Sequence, residues 1–180
     1  MIDTLAALHG TITLATPLLL AAIGETVVQK SGVVNVGLEG LMLVGAFSAV
    51  LAVTASASLP LGLVAAAVCS GLLALLFAVF SVRLAANQVV VGVVMNLLAL
   101  GLTGTLYRAR FGETGTFVKT PTLSPLLFGQ NALTLLALIS VPLLWVWFYK
   151  TRAGLITRAC GEQPVATEAG GINVLRVRTL

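Results

Sequence analysis

Four long stretches of the chain, residues 4–24, 40–82, 84–107 and 120–149, contain no Asp, Glu, Lys or Arg. All are rich in Leu, Val and Ala, and none alternates with the two-residue period of a half-buried strand. As one helix, 40–82 would measure about 65 Å, twice the ~30 Å of bilayer hydrocarbon, so it must fold back. Ser56-Ala57-Ser58-Leu59-Pro60 supplies the break, because proline lacks an N–H and disfavours helix in the residue before it. Pro121, Pro125 and Gly129 disrupt the start of the last stretch and centre its helix on 131–149. The pattern predicts five spans, near 4–24, 40–57, 61–82, 84–107 and 131–149, with Pro17 a possible kink in the first. A polar tail, 150–180, follows.

Composition narrows the class. Of 180 residues 58% are apolar and only 9% charged, whereas soluble domains charge about a quarter of theirs. A water-soluble enzyme is excluded, and so is disorder, which needs polar, charged sequence. The fold class is all-α, a polytopic transmembrane bundle. The net charge of +4 comes from Lys and Arg at the ends of apolar runs, not from a basic stripe with interleaved aromatics, so no nucleic-acid partner is expected. With the tail in the cytoplasm, Lys30, Arg83, Lys150, Arg152, Arg158, Arg176 and Arg178 lie inside and Arg108, Arg110 and Lys119 outside. This threading treats 25–39 as an inner loop. The first span lacks the basic start of a cleaved signal peptide, and no polar mature domain follows it.

Chemistry is sparse. Cys69 and Cys160 form no CxxC and have no histidine cluster nearby, so neither disulfide nor metal is expected. His9, Ser48, Ser70 and Ser81 fall in no GxSxG or HExxH pattern. No catalytic set is assembled and the chain is not expected to be an enzyme. It also lacks a GxxxxGK[ST] phosphate loop, so any ATP must be bound by another chain. Gly45 with Ala49, Ala67 with Gly71 and Gly101 with Thr105 stand four apart, the spacing of close helix contacts in lipid.

Two membrane-region segments carry polar groups. Residues 24–40 mix Glu25, Asn35 and Glu39 with glycines, so a continuous helix is not expected; the segment is either a broken hairpin bracing a pathway or an interfacial loop. Asn87, Gln88 and Asn96 fall in the next span, where Gln88 and Asn96 share a face. Amides there can meet a polar substrate without trapping it, or bond helix to helix. Asn35, Glu39, Asn87, Gln88 and Asn96 are the candidate pathway residues. The tail holds seven charges, and Pro164 with Gly170-Gly171 predicts a short helix of about two turns that must pack on something to persist.

The tail resembles the membrane permease subunit of bacterial ABC importers in the ribose, branched-chain amino acid and nucleoside group. There a span ends in a TRxG-like pattern and is followed by a GENPxAAxxxGI-like cytoplasmic loop. Here stand Thr151-Arg152-Ala153-Gly154 and Gly161-Glu162-Gln163-Pro164-Val165-Ala166-Thr167-Glu168-Ala169-Gly170-Gly171-Ile172. Upstream, Gly24-Glu25 and Ser31-Gly32-Val33-Val34-Asn35-Val36-Gly37-Leu38-Glu39-Gly40 resemble the nucleoside-type branch, whereas sugar permeases tend to carry a GIDLSVG-like version at that place; residues 83–96, with Ala86-Asn87-Gln88-Val89-Val90, also resemble the nucleoside-type members. Gln163 departs from the usual Asn, and Thr167 and Gly170 from Ala.

The resemblance implies a multi-pass subunit of the bacterial cytoplasmic membrane for nucleosides or simple sugars. It pairs with a second permease, as homo- or heterodimer, with ABC ATPase subunits that bind the ATP, and with an extracytoplasmic substrate-binding protein. It makes 150–180 a cytoplasmic coupling loop, in which Glu162, Pro164, Ala166, Gly171 and Ile172 match the positions that dock into the ATPase. Family members continue with further spans, so the chain is expected to be an N-terminal fragment. Two other classes stay open: an ion-coupled secondary carrier using Glu25 and Glu39, and a non-transporting membrane scaffold.

Overall fold

A computed structural model describes residues 4–112, 123, 125–127 and 129–179, except the side chains of 4–6 and 127. Lys119 and Pro121 lie outside the described residues. Among the described residues, five helices are long and apolar enough to cross a membrane, and the architecture is an all-α polytopic bundle. The described chain divides into two compact units.

The first unit contains α1 (Thr4–Lys30), a small antiparallel hairpin of β1 (Pro125–Leu127) and β2 (Gln130–Asn131), α5 (Ala132–Lys150), α6 (Arg152–Glu162), α7 (Pro164–Ala169) and α8 (Val174–Thr179). Helix α1 runs six residues beyond the expected end at 24. Gly24 does not stop it, since an isolated glycine costs a helix only about 1 kcal/mol and nothing crowds this one. The stop comes at Ser31-Gly32. Gly32 has φ +89°, the left-handed exit for which glycine is suited, and the Ser31 hydroxyl donates to the Val28 carbonyl at 2.7 Å.

Helix α6 was not expected from the sequence as a separate element. The Thr151 side chain caps it, its hydroxyl oxygen accepting from the Gly154 N–H at 3.1 Å. Gly154, Thr157 and Cys160, three apart, form its buried face. Gly154 sets the corner with α5, because a Cβ there would meet the Phe148 carbonyl oxygen at 2.8 Å.

The second unit contains α2 (Leu38–Ser56), α3 (Leu59–Ala78) closing in a π-helical turn (Val79–Arg83), and α4 (Gln88–Phe111). Pro60 falls in the first turn of α3, where its missing N–H costs nothing, and Ala57 turns the chain with φ 53°. Gly45 faces the Ser70 and Ala66 region of α3, as the small-residue spacing suggested. Gly71 and Gly101, by contrast, have nothing within 4 Å of where a Cβ would sit. The tightest approaches in this unit are elsewhere, at Gly62 against Val53 and at Gly92 against Val36 and Gly37. Helix α4 starts four residues later than the apolar run, because Ala85 adopts φ 50° and Asn87 acts as the N-cap. Asn87 therefore stands at the cap, just before the helix, rather than within the span.

Most large apolar side chains point outward: Leu14 is 80% exposed and Leu143 68%. Such helices are solvated by lipid rather than by water.

Candidate functional site

In the second unit, the irregular backbone of 34–37 runs into α2 and is held by amides from α4. Gly37, the residue before α2, gives that helix no side-chain cap, leaving its first N–H groups in need of acceptors. Asn96 provides one from another helix: its Oδ1 accepts from the Gly40 N–H at 2.7 Å, and its Nδ2 donates to the Val36 carbonyl at 3.0 Å. Gln88 Oε1 accepts from the Val34 N–H at 2.8 Å. Asn35 Oδ1 accepts from the Gly37 N–H at 2.9 Å, closing an Asx turn.

These contacts require close backbone approach. A Cβ on Gly92 would lie 2.7 Å from the Gly37 nitrogen and 2.9 Å from the Val36 carbonyl carbon. One on Gly40 would lie 2.9 Å from Asn96 Oδ1. Three of the five candidate pathway residues, Asn35, Gln88 and Asn96, thus converge on one turn. Asn87 accepts from the Val89 and Val90 N–H groups of its own helix at 3.0 and 3.4 Å. Glu39 is exposed in the first turn of α2, where a carboxylate complements the helix dipole.

In the first unit, the short helices α6, α7 and α8 follow α5 in succession, with α6 packed on α5, α1 and α7. Glu162 is the exposed last residue of α6, and Pro164 opens α7. Ala166 lies on the outer side of α7 with Val165, which is 80% exposed, while Thr167 faces inward and donates to the Gln163 carbonyl at 2.8 Å. Gly171 ends the turn with φ +84°, and the Ile172 N–H returns to the Thr167 carbonyl at 3.3 Å. Glu162 and Ala166 are exposed, Gly171 lies at an exposed turn, and Pro164 and Ile172 are half-buried. Burial pushes the Cys160 thiol above its ordinary range, against the opposing pull of the Arg178 charge. The Arg158 guanidinium lies 4.7 Å over the Tyr149 ring.

A second polar network in this unit joins α1 to the start of α5. Gln130 Nε2 and His9 Nδ1 are 3.0 Å apart, the Thr13 hydroxyl is 3.2 Å from Gln130 Oε1, and the Thr16 and Thr134 hydroxyls are 2.9 Å apart. Gln130 and Thr134 did not figure among the sequence candidates. The spacing 9, 13, 16 does place His9, Thr13 and Thr16 on one face of an apolar helix, but Gln130 stands in β2 ahead of α5, and no local spacing links it to them.

Residues 7–180 match the model of the family described as "Branched-chain amino acid transport system / permease component". The guanosine ABC transporter permease protein NupQ of Bacillus subtilis is 36% identical over 190 residues, covering 94% of this chain and 60% of that protein. TsgC13 of Haloferax volcanii, provisionally named a glucose ABC transporter permease protein, is 33% identical over 186 residues, 96% of this chain and 56% of its own. The nucleoside ABC transporter permease protein NupC of Lactococcus lactis is 34% identical over 185 residues, 91% of this chain and 58% of its own. The chain spans less than two thirds of the length of these curated relatives. No solved structure matches it significantly. With its five apolar helices and a family match from residue 7 to 180, the chain belongs to the branched-chain amino acid transport system permease family of multi-pass cell-membrane proteins.

Proposed function

We propose that this chain forms part of the membrane-spanning permease subunit of an ATP-binding-cassette importer, with nucleosides as preferred cargo and simple sugars as the neighbouring possibility. The observation that carries the proposal is the 36% identity to a guanosine permease across 94% of the chain. The α6–α8 segment supports it, since Glu162, Ala166 and Gly171 of the loop that resembles the family's docking loop are exposed and open to a partner. In this reading ATP is bound by a separate ATPase subunit, which seats on Glu162, Pro164, Ala166, Gly171 and Ile172. A second permease completes the path, and an extracytoplasmic binding protein delivers the cargo. The subunit itself makes and breaks no covalent bond.

The amides of the second unit act in two ways here. Asn96 and Gln88 fix the 34–37 turn, and the turn with Glu39, Asn35 and Asn87 borders the route of the cargo. Motion is alternating access: closure of the ATPases displaces the α6–α8 segment, and the membrane helices rock in response.

The test is uptake of radiolabelled guanosine, with glucose in parallel, by vesicles carrying the complete permease and its partners. ATP-dependent guanosine uptake that survives a protonophore is the expected result. Uptake that collapses with the protonophore while ATP is maintained would instead indicate an ion-coupled carrier and overturn the proposal.

A further inference from the structure

We infer that Arg178 is a positioning residue that latches the end of α1 to the end of α6, so that the α6–α8 segment and α1 move as one body. The inference rests on the permease reading above. Arg178 Nε donates to the Ser31 carbonyl at 2.9 Å, and Nη2 donates to the Cys160 carbonyl at 2.9 Å. The two acceptors are 147 and 18 residues away in sequence. Both are carbonyls at helix C-terminal ends, where acceptors lack intrahelical partners and carry the negative end of the helix dipole. A guanidinium can bridge two such groups because its donors are held in a rigid planar fork, which an ammonium lacks.

The surroundings are shaped for this contact. Ser31 is 5% exposed and Cys160 fully buried. A Cβ on Gly32 would lie 2.7 Å from Arg178 Nη2, and one on Gly161 would run into the Lys30 carbonyl. Glycine at both positions lets the α1 and α6 ends close on the arginine. Val27, Val28, Trp147 and Val177 line the same cavity, and apolar walls leave the charge-assisted bonds poorly screened. Arg178 lies outside the 162–172 loop, so its part is to carry displacement from that loop to α1.

The experiment uses the complete permease assembled with its ATPase and binding protein in proteoliposomes. Uptake per ATP hydrolysed is measured alongside the rate of Cys160 alkylation by N-ethylmaleimide, read by mass spectrometry. For Arg178→Ala, Cys160 alkylation at least ten-fold faster and uptake per ATP at least ten-fold lower are expected. Arg178→Lys should fall between, since an ammonium holds one carbonyl well and the second poorly. Unchanged uptake per ATP in Arg178→Ala overturns the inference, whether or not Cys160 becomes accessible, because accessibility alone would mark a purely structural contact. If Arg178→Ala does not accumulate, Arg178→Lys decides: a lowered ratio with faster alkylation supports the latch, and native values for both overturn it. Failure of the permease reading would show separately, as an unsubstituted assembly that transports nothing on ATP.

Discussion

Asn96 makes two opposed hydrogen bonds to the backbone at the start of α2, where Gly37 has no side chain with which to cap the helix: it accepts from Gly40 and donates to Val36. Interhelical bonds of this kind average ~0.6 kcal/mol in membranes, but leaving buried backbone groups unpaired costs about 1–3 kcal/mol. Asn96→Ala should therefore destabilise the protein by about 1–3 kcal/mol in detergent melts. Thr105→Ala should change little, since the Thr105 hydroxyl bonds only to the carbonyls of Gly101 and Leu102 in its own helix. Equal melting of the two variants would remove Asn96 as a brace. Glycines divide in the same way. Gly92→Ala forces a methyl against the Gly37 nitrogen and should cost about 1–3 kcal/mol. Gly101→Ala meets nothing within 4 Å and should be neutral or raise stability by up to about 1 kcal/mol. The sequence showed which residues were small and polar, and it grouped Gln88 with Asn96 correctly on one face. It could not show which glycine another backbone approaches, because Gly92 and Gly101 look alike without the partner. Nor could it show that Asn96 serves the start of α2, since that bond spans 56 residues.

At the scale of elements, apolar runs without charge were enough to read all five long helices, because a lipid-facing helix needs only hydrophobic length. Their ends were less legible. Gly24 does not end its helix, and α1 continues to Lys30, whereas the cap at Asn87 places the start of α4 beyond the start of the apolar run. Helix α6 was missed because its buried face consists of Gly154, Thr157 and Cys160, which hydropathy does not mark. Its reporter is Cys160. The folded-state pKa of that thiol is raised, so folding favours the protonated form. The associated stability is complete below the ordinary thiol range, about 8.5, and is lost as pH climbs through the folded value. Melting temperature should therefore fall above about pH 8.5, and Cys160→Ser should flatten that part of the curve. A pH dependence identical in the two proteins would assign it elsewhere. Alkylation of native Cys160 should stay slow throughout neutral pH, because the thiol is buried and undissociated.

For the whole molecule, the tail motif was the legible part, since Pro164 and Gly171 punctuate a short helix by local backbone rules alone. The docking role proposed for this segment belongs to the assembly, and here a surface charge is the useful probe. Glu162 is exposed, so Glu162→Lys should leave the melting temperature of the isolated permease unchanged. In the assembled transporter it should lower uptake per ATP several-fold. A loss of stability in the isolated subunit would show that the side chain serves the fold instead of the interface. Gly171→Ala should behave differently, costing about 1 kcal/mol through its left-handed backbone even with open space around it.

The link between α2 and α3 is only Ala57-Ser58, and no charge occurs from residue 40 to 82. During biogenesis such a pair gives the insertion machinery no basic marker with which to fix either helix alone, so orientation is dictated by the flanks at Lys30 and Arg83. The two helices are therefore expected to enter the bilayer as a single hairpin, and shifting the flanking basic residues should invert both of them or neither, as read by cysteine accessibility on each side of the membrane.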